Sequence, residues 1–372
     1  MDRRGFFKSM LGKGLSHGAR QVDAVVIPFE RAARAARDAM PQEPAPATDD
    51  ERELDLGLDD GEDLSVPALS AQPLPARGVT NPVADEDLMR LAADAGLILR
   101  VEAVIALARR SVRLVPGEEP AAPGSRTRLG GAPDLPEDVE WPRWEDEPLT
   151  FLAQIDLSQA YALGLEPLLP ADGVLLLFSA LDRTPPGSSP LDRDSTRVLY
   201  VERARLPAQP PEAVGPAQPH TALALELSCE LVLPRVWAAD VQLLELEEPE
   251  QQAWEQVRRE LAELQGVEAW DAGEPLDSRH HLLGFADESR ADMPIACELA
   301  AQGIDVGYGA PWSHPEAKRV ERAARRWRLL LQLTVDDEAG WTFGRGRERL
   351  YVWAPQDDLT GAQLAHVHAL AR

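Results

Sequence analysis

Residues 151–157 read Phe-Leu-Ala-Gln-Ile-Asp-Leu, and residues 329–335 read Leu-Leu-Leu-Gln-Leu-Thr-Val. Each segment is an apolar run of strand length with a glutamine at its fourth position, Gln154 in the first and Gln332 in the second. A turn-rich insert and a further apolar strand follow each run. Because such strands rarely recur by chance with the same polar interruption, the sequence predicts a duplicated β unit that forms two related half-sheets.

The elements around these strands indicate an α+β protein with largely antiparallel sheets and peripheral helices. A strand is expected at 111–115, closed by Pro116 and Gly117, and a half-buried strand is expected near 222–231, with Cys229 facing the core. Apolar residues at helical spacing predict helices at 85–95, 101–110, 249–265 and 316–326.

Five short motifs lie along the C-terminal two thirds of the chain. They are Gly-Gly-Ala-Pro-Asp-Leu-Pro at 130–136, Trp-Pro at 141–142, the Gln154 strand, Leu-Pro-Ala-Asp-Gly at 169–173 and His-Leu-Leu-Gly-Phe at 281–285. Together they resemble the YwqG-like family, bacterial proteins of unknown function. The resemblance runs from about Ser111 to the C-terminus, which implies one domain of about 250 residues and no assigned reaction.

The N-terminal part of the chain differs from this domain in composition. Residues 1–40 predict a basic amphipathic segment that could dock on a protein partner, and residues 41–82 predict an acidic, proline-rich disordered linker. The domain with its leading helices is then expected at 83–372. The Arg3-Arg4 pair partly matches a twin-arginine export signal, but no apolar stretch follows it. A cytoplasmic protein is therefore expected, with export to the periplasm as the alternative.

Charge and cysteine content exclude several classes of protein. The net charge is 38 − 63 = −25, which repels phosphate backbones and anionic lipid, so no nucleic-acid partner and no membrane-surface role are expected. No integral membrane segment is expected either. Cys229 and Cys297 are the two cysteines of the chain, too few for a disulfide scaffold, which indicates a reducing compartment.

Gln154 and Gln332 are the first candidates for a ligand-binding site. An amide within an apolar run is unfavourable to bury unless its donors and acceptor are satisfied, and a ligand could satisfy them. The alternative, which buried amides usually follow, is that each glutamine is satisfied within the protein, at a sheet edge or between the two halves.

Four other residues are candidates for ligand binding, each with a structural alternative. Arg128 lies beside the Gly-Gly turn, which could bind an anion or could simply be a rigid turn. Trp312 lies in a Gly/Pro-rich loop that could expose it for binding, and Arg345 belongs to a basic loop that could select an acidic ligand or be solvated. His281 lies near Asp287 and Glu288 and could take part in acid–base chemistry.

No metal site and no cofactor are predicted. Adjacent His280 and His281 point to opposite faces of a strand, and His366 and His368 lie on different faces of an expected helix. No nucleophile with a partner at a defensible spacing is found. The sequence therefore favours a binding or interaction module for a protein or small ligand. The alternative is an enzyme of unassigned reaction, with a cleft between the two β halves that Gln154, Gln332, His281 and Arg345 surround.

Overall fold

The computed structural model describes most of the region in which the domain is expected. The described residues are 83–122, 124–207, 220–265, 280–287, 292–307, 310–335, 341–344 and 347–372. All of them belong to residues 72–372, the second of the two units into which the chain divides. The N-terminal segment, the linker up to 82 and Arg345 lie outside the described residues.

Within the described residues, ten strands form one antiparallel sheet, and two more form a separate hairpin. The sheet order is β12-β11-β10-β9-β1-β8-β2-β5-β6-β7, and β3 pairs with β4. The strands are β1 (Arg109–Pro120), β2 (Arg128–Leu129), β3 (Arg143–Trp144), β4 (Glu147–Pro148), β5 (Thr150–Asp156), β6 (Val174–Ser179), β7 (Thr196–Val201), β8 (Leu223–Val232), β9 (His280–Leu283), β10 (Trp327–Thr334), β11 (Arg349–Pro355) and β12 (His368–Ala371).

Helices accompany this sheet, so the prediction of an α+β fold with antiparallel strands is confirmed. The α-helices of the described residues are α1 (Asp85–Asp94), α2 (Val101–Leu107), α3 (Leu157–Ala162), α4 (Ala239–Gln242), α5 (Glu248–Leu264), α6 (Met293–Ala301), α7 (Ala317–Ala324) and α8 (Gln356–Thr360). The two glutamine strands, β5 and β10, lie in the same sheet rather than in separate sheets.

The sequence of helix α5 explains where this helix begins and which of its faces is buried. Pro249 occupies its first turn, and the Glu250 carboxylate accepts a hydrogen bond from the Glu247 N–H, so the helix start is capped. Its apolar residues recur at helical spacing, and Trp254 and Val257 are fully buried. This face joins α1 and the residues after β8 in an apolar cluster separate from the main core of the sheet.

Three predictions of local structure are wrong. The helix expected at 101–110 ends at Leu107, because Arg109 and Arg110 already pair with β8. The strand expected to close at Pro116 continues to Pro120 through a bulge, which accommodates the proline. His366 ends a short 3₁₀ helix (Leu364–His366) and His368 begins β12, which pairs with β11, so the two histidines do not share one α-helix. Pairing between distant strands outweighed the local pattern in each case.

Cys229 lies on the predicted face of β8, opposite the buried Val112, but it is less buried than a core residue. The thiol is only half-buried, whereas its neighbour Glu230 is 7% exposed. The alternation of β8 fails there because α5 covers its C-terminal end, where the Gln265 side chain bonds the main chain of Leu231. Both faces of this strand are therefore partly covered, and a simple inward and outward pattern does not apply.

Glycines after β9 and α6 give a matched pair for a stability test. Gly284 has φ +81°, and a Cβ added there would lie 2.7 Å from the Cβ of Ser111 on β1. Gly303 has φ +78° with no atom within 4 Å of such a Cβ. We expect Gly303→Ala to lower the free energy of unfolding by about 1 kcal/mol through backbone strain alone. Gly284→Ala should lower it by about 3 kcal/mol, because a clash adds to the strain. Equal losses in urea denaturation would contradict this close approach of β9 to β1.

Strand β12 is held at its outer side by the loop at 186–187. The Nε2–H of His368 donates to the carbonyl of Gly187 at 2.7 Å, and the Arg372 guanidinium donates to the carbonyl of Pro186 at 2.8 Å. Burial lowers the pKa of His368 to about 4, and the positive charges of Arg193 and Arg372 act in the same direction. The imidazole is therefore neutral at pH 7 and serves as a hydrogen-bond donor.

This shift predicts a loss of stability in acid. The unfolded chain binds a proton on His368 near pH 6.5, while the folded chain resists it down to about pH 4. Stability from this residue is therefore full above pH 6.5 and is lost as the pH falls to 4, by up to about 3 kcal/mol. His368→Gln keeps a donor and should remove this part of the pH dependence in urea denaturation. His366→Gln, an exposed control, should keep it. Identical pH profiles for all three proteins would contradict the assignment.

Candidate functional site

Gln154 is fully buried on β5 and is satisfied by one residue of the loop after β2. Its Oε1 accepts the main-chain N–H of Asp134 at 2.9 Å, and its Nε2 donates to Asp134 Oδ2 at 2.9 Å. The carbonyl of Arg126 accepts a further bond from Nε2 at 3.3 Å. The amide therefore fastens the loop to the strand.

Gln332 is equally buried on β10 and makes the same pair of bonds with Asp287. Its Oε1 accepts the main-chain N–H of Asp287 at 2.9 Å, and its Nε2 donates to Asp287 Oδ2 at 2.9 Å. Asp287 follows β9 as Asp134 follows β2. We call these two arrangements the β5 glutamine site (Gln154, Asp134, Arg128) and the β10 glutamine site (Gln332, Asp287, His281).

The main chain around the two sites matches as well. Arg128 is the register partner of Gln154, and His281 is the register partner of Gln332. Each is followed by a leucine and then by two residues with positive φ, 61° and 74° at 130–131 and 59° and 81° at 283–284. Bulges occur at the same place, between Phe151 and Ala153 in β5 and between Leu329 and Leu331 in β10. The two glutamines therefore lie in equivalent local settings.

The sites differ in the residue opposite the glutamine. Arg128 is 5% exposed, and its guanidinium donates to Asp134 Oδ1 at 3.0 Å and to the carbonyls of Ser125 and Ala132. This side chain neutralises the Asp134 carboxylate within the protein. At the β10 site the equivalent residue is His281, 7% exposed, whose shorter side chain lies against a cavity.

This cavity of about 50 Å³ lies between α5 and the sheet at β1, β8 and β9. A volume of that size holds a few waters or a group of a few heavy atoms. Its polar lining includes Arg113, Glu230, Arg235, Arg258, His281 and Asp287. The β10 glutamine site therefore opens toward a charged cavity, whereas the β5 glutamine site is filled by its own arginine.

Three of the residues that line the cavity are arginines, Arg113, Arg235 and Arg258. Burial and the like charge of Arg258 lower the pKa of Arg235 to about 10, against the opposing effect of Asp287 and Glu255. Arg258 donates to the carbonyl of Leu233 at 3.0 Å and to the Glu255 carboxylate at 2.6 Å, which fixes its guanidinium. Such fixed, partly desolvated guanidinium groups can orient a ligand without first becoming ordered.

The other two candidate residues lie away from this cavity or outside the described residues. Trp312 is 52% exposed in a short turn at Pro311–Ser313, and it does not line the cavity. Arg345 lies outside the described residues. The structure thus brings together Gln332 and His281, and separately Gln154 and Arg128.

Sequence reasoning missed Asp134 and the arginines of the cavity, and it considered Asp287 as a carboxylate near His281 but not as the partner of Gln332. The aspartates had a signal, since Asp134 follows Arg128 by 134 − 128 = 6 positions and Asp287 follows His281 by 287 − 281 = 6. Aligning these loops together with the glutamine strands would have found the pairs. Arg113, Arg235 and Arg258 had no such signal, because separate elements bring them to one place only in the folded chain.

Comparison with known proteins places the chain in a family. A family model described as "Domain of unknown function (DUF1963)" matches residues 127–369, which include both glutamine sites. The chain therefore belongs to the DUF1963 family. No curated protein matches it.

Among the residues that the structure describes, no three His, Cys, Asp or Glu side chains are placed to hold a metal ion. In the same residues, no helix combines the length and apolar character that crossing a bilayer requires.

The hydrogen bonds between Gln154 and Asp134 predict that removing the Gln154 amide lowers stability. Gln154→Leu leaves the buried Asp134 N–H and one carboxylate oxygen without their partner, so we expect the free energy of unfolding to fall by about 2–4 kcal/mol. Gln242→Leu makes the same change at an exposed glutamine bonded to the carbonyl of Val236, and should change it by less than about 1 kcal/mol. Urea denaturation measures both. A small loss in both variants would contradict a structural role for the buried amide.

Proposed function

We propose that this protein is a binding module, that its sheet carries a duplicated β unit, and that its small ligand occupies the cavity beside Gln332 and Asp287. The observation that carries the proposal is the contrast between the two glutamine sites. Arg128 fills the first from within the protein, while the second borders a cavity with charged walls.

The matching of the two sites supports the duplication. The glutamines share their bonds to an aspartate, their register partners, the positive φ values after those partners and the positions of the bulges. Strand order supports it too, because β2-β5-β6-β7 and β9-β10-β11-β12 run outward in chain order from the central strands β1 and β8. In such a repeat, one copy can keep the structural bonds while the other acquires a ligand site.

The fixed character of the cavity wall supports ligand binding. Ligand sites are concave, are formed before binding and contain a few oriented polar groups. Arg258 is held by Leu233 and Glu255, and Asp287 is held by Gln332, so both are in place before a ligand arrives. Binding would therefore require little ordering of these side chains.

An enzyme is the second candidate, and one observation favours it. His281 and Asp287 line the same cavity, and an imidazole near a carboxylate is a common acid–base arrangement. Chemical conversion of a bound compound, detected by mass spectrometry, would favour the enzyme over the binding module.

Three further parts of the proposal concern the family, the location and the partner of the protein: kinship with YwqG-like proteins, a cytoplasmic location and a protein partner for residues 1–40. The two free thiols support the cytoplasmic location.

Ligand binding can be tested with a plugged cavity. Ala262 on α5 lines the cavity, so Ala262→Leu should fill it, whereas Ala93→Leu makes the same change at an exposed position of α1. The full chain and both variants would be screened by thermal unfolding with sugar phosphates, nucleotides, amino acids, carboxylic acids, sugars and polyamines. A ligand at a hundred times its Kd adds about 2.7 kcal/mol and raises the unfolding temperature by several degrees.

We expect at least one compound to stabilise the wild-type chain and Ala93→Leu but not Ala262→Leu. Isothermal titration calorimetry would then give its Kd. If no compound stabilises the wild type, or if Ala262→Leu responds equally, the cavity is not the ligand site and the proposal fails.

A further inference from the structure

We infer that the cavity beside the β10 glutamine site selects an oxyanionic group, a carboxylate or a phosphate, through Arg113, Arg235 and Arg258. This inference rests on the proposed function, because it names the chemical class of the ligand that the cavity holds. It depends on how the charges of the cavity wall are arranged.

The lining has more guanidinium groups than carboxylates. Arg113, Arg235 and Arg258 face Glu230 and Asp287 around the cavity. The Arg113–Glu230 pair is 3.8 Å apart, longer than a charge-assisted hydrogen bond. Guanidinium groups therefore outnumber carboxylates in the lining itself, although Glu255 pairs with Arg258 just outside it and the whole chain carries −25.

Packing and hydrogen bonds hold two of these guanidinium groups in place. The Arg235 guanidinium lies 5.1 Å from the centre of the Trp237 ring, and Arg258 is fixed through its Nε–H and one terminal nitrogen. Arginine presents a planar fork of N–H donors that matches the oxygens of carboxylate and phosphate. A group of a few heavy atoms also fits the volume, and a larger ligand could insert its anionic end.

Electrostatic repulsion between the arginines supports the same class of ligand. Burial and the neighbouring charge of Arg258 lower the pKa of Arg235 to about 10, so the two positive charges destabilise each other. The Arg258 side chain is 12% exposed, which limits screening by water. An anion between these groups would relieve the repulsion, whereas a neutral group would not.

A cationic ligand is the main competing class. At the β5 glutamine site the Arg128 guanidinium pairs with Asp134, so a guanidinium or ammonium group could pair with Asp287 in the same way. The surroundings differ, however, since Arg235 and Arg258 line the cavity at Asp287. A cation there would face like charges, which raise its energy in a partly desolvated site.

The test uses sodium phosphate, sodium acetate, putrescine and glycerol as probes at a constant ionic strength of about 0.15 M. Binding to the full chain would be measured by isothermal titration calorimetry, with thermal unfolding as a second readout. We expect phosphate or acetate to bind saturably, and putrescine and glycerol not to bind. Phosphate alone would identify a phosphate group as the ligand chemistry, and acetate alone would identify a carboxylate.

Two variants locate the binding. Arg235→Gln should weaken the Kd for the bound anion about tenfold or more, because it removes a charged donor from the wall. Arg205→Gln removes the same charge from an exposed ion pair with Asp138 and should leave the Kd within about twofold. If Arg235→Gln does not fold, as judged by its unfolding transition, Arg113→Gln replaces it, since the Arg113 side chain is 36% exposed.

The outcomes separate this inference from the proposed function. If neither anion binds while the compound screen yields a neutral or cationic ligand that Ala262→Leu abolishes, the oxyanion inference is overturned and the binding module stands. If neither anion binds and the screen yields nothing, both fail. An equal weakening by Arg235→Gln and Arg205→Gln would show a general charge effect and would also overturn the inference.

Discussion

A buried primary amide has to satisfy two donors and an acceptor, and this requirement organises the described part of the protein. Gln154 and Gln332 meet it in the same way, by bonding both the main-chain N–H and the carboxylate of one aspartate. Each amide thereby fixes the loop that enters from the neighbouring strand. The loops in turn place the residues opposite the glutamines, so the charged groups of both sites depend on these bonds.

The difference between Arg128 and His281 then decides whether a glutamine site is closed or borders a cavity. Arg128 reaches the Asp134 carboxylate and the loop carbonyls, which makes the β5 glutamine site a closed network of hydrogen bonds and one buried ion pair. Such a pair is tolerated because its members are bonded on several sides. At the β10 glutamine site the shorter His281 leaves Asp287 in the wall of a cavity shared with the arginines of β1, α5 and the segment after β8.

Agreement between sequence and structure is closest where the pattern is local and strong. The glutamine strands, α5 and the α+β class follow from apolar periodicity, and the burial of both amides follows from their place in apolar runs. The predictions for 101–110 and for His366 with His368 were wrong, and Cys229 is less buried than expected, because neighbours distant in sequence decided those positions. Strand pairing ended the helix at Leu107 and made β12, and α5 altered the burial around Glu230.

The sequence by itself determined the two glutamine strands, the need of each buried glutamine for polar partners, and two similar segments whose aspartates could have been found by aligning them. Only the tertiary structure decided which partners satisfy the amides and which charges meet at the cavity. Apolar periodicity depends on residues close in sequence, so it indicates which face of a helix or strand is buried but not which other element covers that face. Arg113, Arg235 and Arg258 come from separate elements, so their common charged surface exists only after β1, β8 and α5 have packed together.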